Sequence, residues 1–182
     1  YHFRANGRQI LPYRVSRQYE LTSSQGSNQR ATPKYIILHD VGSRATGQQA
    51  ASFMQRTANS NQAYTNFIVG NGGTVYLMKQ PGTVSWGAGT TANQNAPVQI
   101  ELGQTSSAAT FRRDYQAYVA LARDMAGKYN IPLTLDQGSA GAKGIKSHRW
   151  VSQHIWGDHQ DPYEYLARFG VTKQELVDDL AG

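Results

Sequence analysis

The segment Tyr35-Ile36-Ile37-Leu38-His39-Asp40 decides how this chain is read: an unbroken run of large apolar side chains stops abruptly at a histidine and an aspartate. A run that short, bounded by polar residues, fits a strand buried on both faces near the centre of a sheet. Such a strand delivers His39 to a sheet edge facing a cleft. Downstream, Gly47 to Thr57 places Ala50, Ala51, Phe53 and Met54 at helical spacing, and the polar loop Asn59-Ser60-Asn61-Gln62 follows. Thr65 to Val69 and Thr74 to Met78 flank Asn71-Gly72-Gly73, residues that accept the positive φ angles of a tight hairpin turn. Val98 to Leu102 is a further short strand. Ala109 to Tyr129 predicts a long helix with Tyr115, Tyr118, Val119, Leu121, Ala122 and Met125 on or near one face.

The stretch from Asp136 to Lys146 is rich in Gly, Ala and Ser and is expected to be a mobile loop leading into Ser147-His148. Trp150 to Ile155 reads as helical, and Thr172 with Glu175 forms a capping-box signature ahead of Leu176, Val177 and Leu180. Upstream, Tyr1 to about Arg30 lacks sustained periodicity and ends in Ser23-Ser24-Gln25-Gly26-Ser27-Asn28-Gln29. Residues 1–30 are therefore expected to be an N-terminal extension that packs loosely or links. No internal repeat is visible. The remainder, 31–182, predicts one α/β domain: a central mixed sheet of five or six strands with helices on both faces and a shallow groove over one sheet edge.

With 182 residues the chain is long enough for one domain with a real core, and charged residues make up only 16% of it, so wholesale disorder is not indicated. A formal charge of +6 favours anionic surroundings. The basic residues, among them Arg4, Arg8, Lys34, Arg112, Arg113, Lys143, Lys146 and Arg149, are scattered, which argues against a nucleic-acid reader. No apolar run approaches the roughly 20 residues that span a bilayer. Opening on Tyr1 rather than Met, the chain is expected to be a processed form or the catalytic part of something longer.

Three segments distant in sequence each carry a side chain able to bind metal: Leu38-His39-Asp40, Ser147-His148-Arg149 and His159-Gln160-Asp161-Pro162. The chain has no cysteine, so any metal must be held by His, Asp or Glu. Two imidazoles and one carboxylate leave a coordination position free, which is the donor logic of a hydrolytic zinc site. Spacing alone is a modest signal, because a chain with five histidines offers many such triplets. Plainer roles exist for each residue: a hydrogen-bonded strand end for His39 and His148, a turn for Asp161-Pro162, an ion pair with a nearby arginine for Glu101.

Taken in order, Tyr35-Ile-Ile-Leu-His39-Asp40, Thr65-Asn66-Phe67-Ile68-Val69, Gly73-Thr74-Val75-Tyr76, Trp86-Gly87-Ala88-Gly89, Ile100-Glu101-Leu102, His148 and Asp161-Pro162 resemble the type 2 N-acetylmuramoyl-L-alanine amidases. That family includes phage endolysins and bacterial autolysins, and animal peptidoglycan recognition proteins share its fold. The resemblance runs from about Thr32 to Gly170. It implies a zinc amidase catalytic domain over 31–182 that hydrolyses the amide between N-acetylmuramic acid and L-alanine. His39, His148 and Asp161 match the zinc ligands. Glu101 matches the carboxylate that takes a proton from the attacking water, and a strand-borne carboxylate beside a metal is a competent base. His159 falls where many members carry an oxyanion-stabilising lysine, a hydrogen bond that an imidazolium can also donate. Asn66 and Trp86 are expected contacts for glycan or stem peptide.

Two departures bear on substrate contact: Gly87 stands where many relatives have His, and Thr65 where some have Tyr. The partners implied are bacterial peptidoglycan and, from the positive charge, anionic wall polymers, with neither nucleic acid nor membrane, for a monomer acting extracellularly at the cell wall after secretion or phage lysis. The rival reading is a non-catalytic peptidoglycan-binding module of the same fold, which retention of all three ligand residues disfavours.

Overall fold

The computed structural model describes residues 13–182 and, before them, only the backbone of two short strands, β1 (His2–Phe3) and β2 (Gln9–Ile10), paired antiparallel. Expectations for the rest of residues 1–12, including Arg4 and Arg8, lie outside the described residues. The elements that follow are β3 (Arg14–Ser16), β4 (Tyr35–Asp40), α1 (Gly47–Asn61), β5 (Phe67–Gly70), β6 (Thr74–Leu77), α2 (Thr90–Gln94), β7 (Val98–Leu102), α3 (Ala108–Lys128), β8 (Gly144–Ser147), α4 (His148–His154), α5 (Tyr163–Arg168) and α6 (Lys173–Ala181).

Six strands form one sheet in the order β3-β6-β5-β7-β4-β8, with the β5–β6 hairpin antiparallel and every other pair parallel. The sheet is mixed, as expected. Its three parallel neighbours β7, β4 and β8 end on the same side, where ligands of open α/β sheets collect.

Side-chain alternation sorts the core into two layers. Ile36 and Leu38 of β4, with Val98, Ile100 and Leu102 of β7, pack against Phe111, Tyr118, Leu121 and Ala122 of α3 and Leu176 and Leu180 of α6. Tyr35 and Ile37 point the other way, into a cluster with Ala92, Trp150 and Val151. On that same side α1 contributes Ala51 and Ala58 over Tyr64, Ile68 and Met78. Helices thus cover both faces. Because a strand alternates, His39 emerges on the α1/α4 side with Tyr35 and Ile37, and so do Gln99 and Glu101, whose neighbours Val98, Ile100 and Leu102 face α3.

The structure corrects two expectations. Residues 13–30 do not pack loosely: β3 adds an edge strand, Leu21 is buried, and its amide bonds to the Met78 carbonyl at 2.8 Å. The buried ammonium of Lys79 clamps the polar stretch by donating to the carbonyls of Thr22 and Gln25. Those contacts are mostly main-chain, so they leave no hydrophobic period in the sequence. The Asp136–Lys146 segment is likewise ordered at both ends, since the Asp136 backbone amide donates to the Ile145 carbonyl at 3.0 Å and Gly144–Ser147 forms the edge strand β8. At the C-terminus, the Thr172 side chain caps α6 by accepting from the Glu175 amide. Among the described residues, no helix is long and apolar enough to cross a membrane.

Candidate metal centre

The ends of the parallel strands bring the three distant segments together. His39 lies at the end of β4, and His148 opens α4 directly after β8, with the Ser147 hydroxyl accepting from the Trp150 amide as the helix cap. Asp161 sits in the loop before α5, its position fixed from both sides: its carbonyl accepts from the Arg149 amide at 3.2 Å and its carboxylate from the Asp40 amide at 3.2 Å.

The Nδ1 atoms of His39 and His148 are 3.0 Å apart and stand 3.6 and 3.2 Å from the carboxylate oxygens of Asp161. Atoms bound tetrahedrally to zinc at 2.0–2.2 Å are separated by about 3.3 Å. These closest approaches, to Oδ2 of Asp161 from His39 and to Oδ1 from His148, are of the size found between ligand atoms of such a tetrahedron. One ligand atom from each residue lies within 4.8 Å of the others, and the N, N, O chemistry is of the kind zinc accepts. His39 is 2% and His148 5% exposed. The residues fit the ion that the sequence implies.

The charge balance points the same way. Burial opposes ionisation of Asp161, but the hydrogen bonds and charge of His148 and His39 prevail and hold its carboxyl well below the usual carboxylate range. Burial, and then the His39 charge, press His148 down to about 4. For His39 burial works against the proton, yet Asp161 and Glu101 outweigh it and the net direction is upward. Glu101 is pushed up to about 7, chiefly by burial. The positive charge opposite ionised Asp161 is thus the His39 proton, with His148 neutral, and a metal ion would take that proton's place.

A cavity of about 350 Å³ opens over the triad, walled by Gly87, Glu101, His159 and Arg168 among others. It adjoins a more apolar cavity that shares Val41, Gly87 and Glu101 and continues past Trp86, Met54 and the exposed Phe53. Glu101 thus stands where the two meet. His159 stacks on His148 with ring centroids 4.0 Å apart, and its Nδ1 is 3.7 Å from Asp161; its side chain is 57% exposed. Trp86 packs edge-on against Tyr64 and keeps part of its surface in the second cavity.

Asn66 departs from expectation. It is fully buried; its Nδ2 donates to the carbonyls of Gln80 and Thr83, and its Oδ1 accepts from the Ser85 hydroxyl and the Gln99 amide. With every polar atom occupied it offers nothing to a ligand. Three residues around the triad were given no site role by the sequence: Gln99, whose Oε1 lies 2.8 Å from His39 Nε2; Tyr118, whose hydroxyl donates to the His39 carbonyl at 2.9 Å; and Asp136, which binds Ser147. The alternation Val98-Gln99-Ile100-Glu101-Leu102 held a signal for the first, since it sets Gln99 on the face of Glu101.

Residues 29–164 match the family model described as N-acetylmuramoyl-L-alanine amidase. Over 150 residues the chain is 43% identical to the endolysin of Listeria phage A511, an alignment covering 81% of this chain and 43% of that protein. It is 30% identical over 155 residues to the lytic amidase of Streptococcus pneumoniae phage HB-3, covering 81% of this chain and 46% of that protein. The chain spans less than half the length of either relative. The crystal structure of the Staphylococcus aureus hydrolase AmiA, solved with its ligand, superposes with a TM-score of 0.80 at 22% identity, covering 97% of this chain and 84% of that one. Drosophila PGRP-LB superposes with a TM-score of 0.55 at 16% identity, covering 82% and 99%. At such identities the likeness shows the fold, which is the one expected.

Proposed function

The chain belongs to the N-acetylmuramoyl-L-alanine amidase family, and from that footing we propose that it hydrolyses, with zinc, the amide joining N-acetylmuramic acid to L-alanine in bacterial peptidoglycan. The observation that carries this reading is the convergence of His39, His148 and Asp161 on one point, 3.0 to 3.6 Å from each other, at the floor of an open groove. Zinc held there supplies Lewis-acid polarisation of the scissile carbonyl and makes the attacking water more acidic.

The chain's own residues do the rest. Glu101, partly buried where the two cavities meet, accepts the water proton on its carboxylate and passes it to the nitrogen of the departing L-alanine. His159, exposed on the groove wall, donates a hydrogen bond to the oxygen on which negative charge develops. Trp86 offers a partly exposed ring to the substrate arm that enters the second cavity. Residues 31–182, with the edge strand β3, form the catalytic domain. It acts as a monomer at the cell wall, outside the membrane, and its positive charge favours approach to anionic wall polymers.

Purified peptidoglycan incubated with the protein, with and without a zinc chelator, tests this. The expected result is soluble fragments carrying a free L-alanine amino terminus by mass spectrometry, abolished by chelation. Binding to the wall without release of fragments points instead to a recognition module. Cleavage at another bond overturns the assignment of the amide.

A further inference from the structure

We infer that Gln99 is a positioning residue: it keeps the proton of neutral His39 on Nε2, so that once the Nδ1 proton shared with Asp161 is lost, the Nδ1 lone pair faces His148, Asp161 and the ion. The inference rests on the zinc reading for its purpose, but the geometry behind it stands on hydrogen bonds alone.

The backbone amides of Gly87 and Ala88 are donors, and both reach the same side-chain atom of Asn93, at 3.2 and 2.8 Å. That atom must be the carbonyl oxygen, Oδ1. The Gln99 atom 2.9 Å from it must then be the amide nitrogen, an assignment that its approach to the Ser85 carbonyl repeats. The other end of the Gln99 amide is therefore oxygen. It lies 2.8 Å from His39 Nε2, and because oxygen only accepts, Nε2 carries the proton. A neutral imidazole has one N–H, so Nδ1 is left as the donor to a metal.

Gln99 cannot turn over. Its backbone amide is bound by Asn66 Oδ1 at 2.9 Å, and Gln99 and Asn66 are fully buried. Reversing its side-chain amide would set oxygen against Asn93 Oδ1 and against the Ser85 carbonyl, two buried mismatches at once. Asn66, whose polar atoms are all committed inside the protein, thereby gains a purpose as the brace of this relay. Gly87 belongs to it too, because a Cβ there would stand 2.6 Å from Gln99 Oε1. Partners of this kind hold a metal-binding imidazole in one orientation, and their loss commonly costs about 10–100-fold in metal affinity.

The test reads the tautomer directly. Long-range proton–nitrogen NMR correlations of the zinc-free protein at alkaline pH, with His39 identified by its loss in His39→Ala, are expected to show His39 protonated on Nε2. Gln99→Met, similar in length but with only a weakly accepting sulfur in place of the amide oxygen, is expected to give a mixture of tautomers and to weaken zinc binding about 10–100-fold in chelator competition. Gln99→Glu keeps an acceptor toward His39 Nε2, and although its second oxygen meets Asn93 Oδ1 and lowers stability, it is expected to restore the single tautomer. Gly87→Ala, which displaces the same oxygen, is expected to follow Gln99→Met. Protonation of His39 on Nδ1 in the wild type, or wild-type zinc affinity in Gln99→Met, overturns the inference. If Gln99→Met fails to fold, the wild-type spectrum still decides. If the wild type takes up no zinc while His39 is protonated on Nε2, the zinc reading falls and the relay remains.

Discussion

His39 and Glu101 are direct partners across the parallel ladder between β4 and β7, and both side chains leave the sheet on the same face. The ladder itself, with strands about 4.8 Å apart, holds the proposed base beside the proposed ligand. Their separation does not depend on loop conformation. Glu101→Gln keeps the shape and the register but cannot accept a proton. Expected is full zinc content with turnover reduced on the order of 10²–10⁴-fold. Metal analysis alongside a wall-solubilisation assay checks it, and near-normal turnover removes Glu101 from the role of base.

The same residue makes a prediction for the zinc-free protein. Burial raises the Glu101 pKa from 4.5 to about 7, so between those values the folded state keeps a proton that the unfolded chain gives up. Stability is then lost as pH rises through that window. His148, lowered from 6.5 to about 4, acts in the opposite sense, but it is present in wild type and variant alike and leaves their difference largely unchanged. Under chelation, Glu101→Gln is therefore expected to melt with wild type near pH 4 and to be more stable by on the order of 1–3 kcal/mol near pH 8. Denaturant melts across the range measure it, and a difference independent of pH counts against a buried, ionisable Glu101.

How much of this was legible in the sequence depended on element length and on what kind of contact held each piece. β4, the β5–β6 hairpin and α3 were readable because each carries an unbroken apolar run, a turn signal or several helical periods. β3, β8 and α5 have three, four and six residues, too short for a period to appear, and β8 contributes a single large apolar side chain, Ile145. The triad His39, His148 and Asp161 emerged from an ordered set of motifs, whereas its convergence depends on the pairing of β4 with β8, which no local pattern encodes. Asn66 was misread because an amide in a strand-like segment looks alike whether its partners are substrate or carbonyls inside the protein.

Removing a donor tests the centre as a metal site independently of catalysis. His148→Ala leaves two of the three side chains and opens a space behind His159, which stacks on the lost ring. Ligand binding to the native state alone stabilises by mass action, about 4 kcal/mol when zinc is present at roughly a thousand times its dissociation constant. The wild-type melting temperature is thus expected to rise with zinc and fall with chelator, and that of His148→Ala to ignore both. A zinc response that survives in the variant places the ion elsewhere.

His159 differs from the triad in being largely solvent-exposed, so its contribution is expected in rate and not in metal content. His159→Lys retains a cationic donor at the groove wall and should keep more turnover than His159→Ala, with zinc content equal in both. Equal rates in the two variants would exclude a role in stabilising the oxyanion.

Asp136 ties together the two ligand-bearing segments that the sheet does not join directly. Its side chain is 4% exposed and accepts from the Ser147 amide at 2.6 Å, the Ser147 hydroxyl at 2.8 Å and the Tyr163 hydroxyl at 2.5 Å, with Lys173 3.6 Å away. Ser147 precedes His148, and Tyr163 follows Asp161 by two residues, so one carboxylate ties together the segments that carry two of the three ligands. Asp136→Ala strands a buried amide, a phenol and a lysine partner together. A loss on the order of 1–3 kcal/mol for each donor left buried without an acceptor is expected. Asp136→Asn keeps the shape and one acceptor oxygen, and so is expected to lose less stability while still loosening zinc, because only part of the Ser147 and Tyr163 bonding survives. Melting temperature and chelator competition on both variants distinguish this from a merely local defect: if Asp136→Asn melts below wild type yet binds zinc with unchanged affinity, Asp136 holds the loop without setting the ligands.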